Sequence, residues 1–239
     1  MVMRSLIGIS LAVSMVLAPG VGRRSLAQTH NSQETRFDSL VRADFFAGLS
    51  GDQAAFARAM QLIEETLAKN PQHAEARVWL GSGLLHQGGQ AFQNGDSVAG
   101  ARLWNRGLKE MDDAAAVDPQ NVGVLIPRGA TLLQASRQVP LPAEARRLLA
   151  LGVADYEKVL TLQAPYFATL SVHAKGELLF GLAEGLHRLG EIERARRYFQ
   201  RLREETKGSP YESRAAKWID TTPSAAATAP SGCSGCHAK

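Results

Sequence analysis

Cys233-Ser234-Gly235-Cys236-His237 is the stretch of this 239-residue chain whose residue types and spacing suit covalent chemistry. Two thiols three positions apart can each add to one vinyl group of a single haem. The histidine next in line then falls beneath the iron as its proximal ligand. C-x-x-C-H is in this sense the attachment signature of a c-type haem. The motif uses both cysteines of the chain, so a disulfide-stapled scaffold is excluded. The expectation is one covalent haem c, with Cys233 and Cys236 as thioether donors and His237 as the iron ligand.

Three plainer readings compete for the same residues. The two cysteines could close a small disulfide in an oxidising compartment. They could act as a thiol redox pair, although a linker offers no helix N-terminus to lower a thiol pKa. They could contribute to a zinc site, although three ligands without a second cluster make a poor one. Elsewhere there is no Gly-rich phosphate loop, no H-E-x-x-H and no G-x-S-x-G. Glu64-Glu65, Asp112-Asp113 and Glu204-Glu205 are adjacent acids on expected helices, and such neighbours point apart. They read as solvated faces, and no enzyme activity is expected.

The elements around the motif follow from composition and period. Hydrophobic residues at 45% and charged residues at 21% describe an ordinary globular chain, neither disordered nor multi-span. Residues 1–27 read as a signal peptide. Arg4 precedes the apolar run from Leu6 to Ala18, Pro19-Gly20 breaks it, and Ser25-Leu26-Ala27 offers a cleavage site. An uncleaved anchor is the alternative, and no cysteine follows the run to carry a lipid. Arg4, Arg23 and Arg24 leave with the leader and no acid does, so the net charge falls from +4 to +1. Nucleic-acid binding is therefore not expected, and no membrane span is expected in the mature chain. Export should deliver the chain to the periplasm, where covalent haem attachment takes place.

Residues 28–220 read as a helical repeat array. Pro71, Pro119, Pro165 and Pro210 are 48, 46 and 45 residues apart, each placed where one helix should stop and another start. Between them the apolar period is 3.6. Phe56, Ala59, Ile63 and Leu67 share a face, as do Leu179, Leu182, Leu186 and Leu189, and then Ala195, Phe199 and Leu202. Gly190-Glu191 marks a tight turn, and Gly81, Gly129 and Ala183 are small where paired helices need to approach. Arg194 to Arg203 reads as the solvated face of one helix. Helices are predicted near 34–49, 52–69, 73–87, 97–116, 121–137, 142–162, 167–189, 191–206 and 210–220, the last as a cap. Gln87 to Asp96 and Val139 to Pro142 read as insertions, residues 221–232 as a flexible linker, and residues 233–239 as the haem-bearing tail.

Leu179 through Leu202, with its leucine, small, large apolar, small and aromatic order, resembles a unit of the tetratricopeptide repeat family. Ala74 to Leu84, with Trp79-Leu80-Gly81, resembles the opening of another. The resemblance covers residues 36–220 and departs in length, since that family's period is about 34 residues. It implies an all-α solenoid whose concave face holds a protein or peptide partner, a redox protein among the candidates. Ser231 to Ala238 resembles the opening of a small cytochrome c. That family supplies the second axial ligand from helices after the motif, and here only Ala238 and Lys239 follow. His86, His173, His187, Met60 and Met111 are candidate distal ligands, with His30 and His73 weaker. The rival expectation is a pure interaction scaffold whose C-x-x-C tail is inert or disulfide-bonded.

Overall fold

The computed structural model describes residues 36–220, so the expected leader, linker and C-x-x-C-H segment lie outside the described residues. Its elements are α1 (Phe37–Leu49), α2 (Gln53–Lys69), α3 (Ala74–Gln93), α4 (Ser97–Val117), α5 (Val122–Ala135) and α6 (Pro142–Gln163). A short 3-10 segment (Ala164–Thr169) precedes α7 (Val172–Leu189), α8 (Ile192–Glu205) and α9 (Pro210–Asp220). Among the described residues there is no strand, and no helix is long and apolar enough to cross a membrane. The fold is all-α.

Each boundary has a local cause. Asp52 accepts the Ala55 N–H, Asp96 that of Ala99 and Ser171 that of Ala174, satisfying donors that a first turn leaves without partners. Gly190 ends α7 at φ +86°, a left-handed conformation that glycine adopts without a Cβ penalty. Pro142 and Pro210 occupy first turns, while Pro71 and Pro119 sit in the connections between successive hairpins.

The helices pair as antiparallel hairpins, α1 with α2, α3 with α4, α5 with α6 and α7 with α8, and α9 closes the stack. Odd-numbered helices also touch the next odd-numbered one along the series. The apolar stripes expected from the sequence are buried: Ala59 and Ile63 in one hairpin, Leu179, Leu182 and Leu186 in another, and Ala195, Phe199 and Leu202 in its partner helix. Each fully buried leucine contributes about 1.5–3 kcal/mol relative to exposure. Two apolar clusters result, one within α1–α6 and one within α5–α9. They share α5 and α6, so the core runs on from hairpin to hairpin as a repeat stack requires.

Two expected boundaries are corrected. The helix predicted to stop at residue 87 runs on to Gln93, straight through Gly88 and Gly89. Neither glycine ends the helix, and Gly88 serves packing. A Cβ on Gly88 would lie 3.1 Å from the backbone of both Gly100 and Trp104, so α4 can approach only because it is absent. The insertion therefore shrinks to the turn Asn94-Gly95-Asp96, with Gly95 at φ +84°. The helix predicted from residue 167 begins at Val172, because Ser171 caps it and the preceding residues form the 3-10 turn.

Candidate functional site

α1, α3, α5 and α7 present one face to a common groove of about 630 Å³. This volume lies within the range of cofactor and small-ligand sites. Phe45 and Phe46 of α1, Trp79, Leu85 and His86 of α3, Pro127 and Leu133 of α5, and Phe180 of α7 form its walls. Trp104 and Tyr156 enter from the even-numbered helices. Phe45 meets Trp79 edge-on at 4.9 Å between ring centroids, which holds the indole in place. A polar seam joins α3 to α5, where the hydroxyls of Ser82 and Thr131 lie 2.8 Å apart. Pro127 stands inside α5 and removes one N–H from its backbone ladder.

Charge enters the groove at the end where the odd helices terminate. Glu184 is 1% exposed, and burial pushes its carboxyl above the usual carboxylate range. Arg137 donates to it, and Arg188 lies 3.6 Å away. Arg188 also donates to the Leu133 carbonyl at 3.0 Å and to Ser136 Oγ at 2.6 Å, tying α7 to the end of α5. Two guanidiniums thus share one buried carboxylate, and this corner carries excess positive charge.

The structure separates the candidate distal ligands. Met111 is fully buried in the core, and Met60 packs beneath Gly83. His173 pairs with the Tyr211 hydroxyl at 3.0 Å. His187 lies against the Trp218 ring at 5.0 Å. His73 lies in the connection just before α3 and caps that helix by accepting the Ala76 N–H at 3.1 Å. His86 alone among these six lines the groove. It is half-buried beside Phe56 and within 3.1 Å of the Gln90 amide, and burial holds its pKa below the usual imidazole value. His30 lies outside the described residues, as do Cys233, Cys236 and His237.

The groove is thus walled by aromatic and aliphatic side chains, and its polar lining includes one imidazole, Arg137 and the two acids Glu177 and Glu184. Among the described residues no three His, Cys, Asp or Glu side chains converge as a metal-ion site would require. Sequence reasoning missed Arg137, Glu184 and Arg188, because nothing local distinguishes them from surface charges. Asp112 and Asp113 were expected on a solvated face. Asp112 is indeed exposed and Asp113 partly so, and both form ion pairs there, Asp112 with Arg128 at 2.6 Å and Asp113 with Arg77 at 3.0 Å. No family model, no curated protein and no solved structure matches this chain.

Proposed function

We propose that the chain is an exported, tetratricopeptide-like docking protein that carries one covalent haem c on its C-terminal segment and exchanges electrons with a protein partner. The observation that carries this reading is Cys233-Ser234-Gly235-Cys236-His237, which uses both cysteines of the chain. The apolar leader agrees with it, since export places the thiols where haem is attached. In that attachment each thiol adds across one vinyl double bond, sulfur to the inner carbon and hydrogen to the terminal one, so no atom leaves. A bound haem supplies reversible one-electron exchange at its iron. The chain's own residues do the rest. Cys233 and Cys236 tether, His237 ligates, and the hairpin stack presents a fixed face to the partner. No residue is assigned an enzymatic role.

The test is the intact mass of mature protein from a host with c-type haem maturation, together with a haem-stained gel. A gain of about 616 Da, the mass of one whole haem, is expected with a Soret band. A chain lighter by two hydrogens and colourless would leave the rival scaffold with a disulfide tail.

A further inference from the structure

We propose that the edge of the stack formed by the α3–α4, α5–α6 and α7–α8 turns rests on an anionic phospholipid surface. Val98, Leu141 and Ile192 dip below the headgroups, and the arginines beside them meet the phosphates. This goes beyond the haem reading and does not depend on it.

The three turns share one edge. Arg188, at the end of α7, bonds Ser136 just past α5, and Arg146 of α6 donates to the Leu189 carbonyl at 3.3 Å. Gln138 approaches Gly89 near the end of α3. On that edge each of α4, α6 and α8 starts with a large apolar side chain in water. Val98, the second residue of α4, is 83% exposed, Leu141, just before α6, 67%, and Ile192, the first residue of α8, 36%. Single exposed apolar residues are ordinary, but here the same placement recurs in three successive hairpins. Leu141 stands between Pro140 and Pro142, whose rings hold the turn and leave little entropy to lose on contact.

A basic residue follows each apolar tip about one turn further on, Arg102 in α4, Arg146 in α6 and Arg196 in α8, and all three are exposed. Arg102 and Arg196 meet no carboxylate among the described residues. The acids at these helix starts are engaged, Asp96 in capping α4, Glu144 with Arg147 and Glu191 with Arg194, and Glu193 alone lacks a partner. Val117, Tyr166 and Val172 are exposed towards the opposite edge, but Asp118 follows Val117, and Lys175 is paired with Glu205 at 3.1 Å. The apolar tip with an arginine beside it therefore belongs to one edge. That pattern suits an interface, where apolar groups reach the acyl boundary and cations meet anionic headgroups. The three connections differ in length, spanning residues 94–96, 136–141 and 190–191, so a protein partner would need a separate pocket for each. A bilayer offers phosphate above and hydrocarbon below at every lateral position, and needs only that the tips lie at one level.

The full mature chain is mixed with vesicles of equal parts phosphatidylglycerol and phosphatidylcholine, and with vesicles of phosphatidylcholine alone, and bound protein is measured by sedimentation. Binding to soluble polyglutamate is followed by fluorescence anisotropy. The wild type should bind the anionic vesicles and lose most of that binding between about 0.1 and 1 M salt, as the Debye length falls from about 10 to 3 Å. Each arginine near such a surface changes affinity about fivefold, so the double variant Arg102→Gln, Arg196→Gln should bind about 25-fold more weakly. Leu141→Ser should bind at least about fivefold more weakly, and Val98→Ser repeats the test should the turn between the prolines be altered. Val117→Ser, on the opposite edge, should bind as the wild type does. Circular dichroism and thermal melts establish that each variant is folded. Failure to bind the anionic vesicles, equal binding to phosphatidylcholine, unchanged binding in the edge variants, or an equal loss in Val117→Ser overturns the proposal. So does binding to polyglutamate alone, which would mark an acidic protein as the partner. None of these outcomes alters the haem mass, so the reading above is judged separately.

Discussion

Asp155 sits between α6 and α5, where Arg128 Nη1 donates to both of its carboxylate oxygens at 2.9 Å. Arg128 Nη2 reaches Asp112 at 2.6 Å, so one guanidinium joins three helices. Burial nevertheless outweighs the ion pair and pushes the Asp155 carboxyl up from its ordinary 3.8 to about 6. The folded chain therefore binds this proton more tightly than the unfolded chain does. Its contribution to stability is complete below about pH 4 and is lost as pH rises through about 6. Compared with Asp155→Asn, the wild type should have its largest Tm advantage near pH 4, shrinking towards pH 7. Thermal melts of both proteins across that range check this, and an advantage that is constant or grows with pH refutes it. Glu184 is raised for the same reason and acts in the same direction.

At the scale of the helix pair, closeness is set by glycines that face each other. A Cβ on Gly107 would meet the Gly81 carbonyl at 2.7 Å, and a Cβ on Gly81 would meet the Gly107 carbonyl at the same distance. Gly129 and Gly152 repeat the device in the next hairpin. The obstacle is backbone, which cannot rotate aside as a side chain can. Gly107→Ala should therefore lose about 1–3 kcal/mol through overpacking, although alanine is the better helix former by up to about 1 kcal/mol. Urea unfolding measures the balance, and an unchanged or raised midpoint would show that α4 can shift freely against α3. Such a shift would also move Trp104 relative to Trp79 and reshape the groove.

For the whole molecule, stability depends on closing the last hairpin. α9 lays Trp218 on Phe199 as a stacked pair with centroids 5.0 Å apart, and edge-on to Phe180. Repeat stacks need such a cap because the final apolar face has no following repeat to cover it. Trp218→Ala should cost about 3–5 kcal/mol, the usual range for a buried tryptophan. It should also expose Phe180 and Phe199, so sedimentation should reveal association that rises with protein concentration. A monodisperse variant of near wild-type stability would deny α9 this role.

Helix positions could be read from the residues because their causes are local. Prolines near first turns, caps such as Asp52, Asp96 and Ser171, and a 3.6-residue apolar period act over one or two turns of chain. Cys233, Cys236 and His237 lie outside the described residues, and the reading of them rests on adjacency along the backbone alone. The end of α3 and the start of α7 were misplaced, because Gly88 answers to a helix that follows it in the chain and the 3-10 turn to packing. The groove could not be read at all. His86, His173 and His187 are alike as sequence, each a histidine in a helical pattern. What distinguishes them is which neighbour they meet, Phe56, Tyr211 or Trp218, and that is settled only when helices distant in the chain stack side by side. The same stacking turns Glu184 and Arg137 from two unremarkable charges into a buried pair, because desolvation acts only once the surrounding helices are in place.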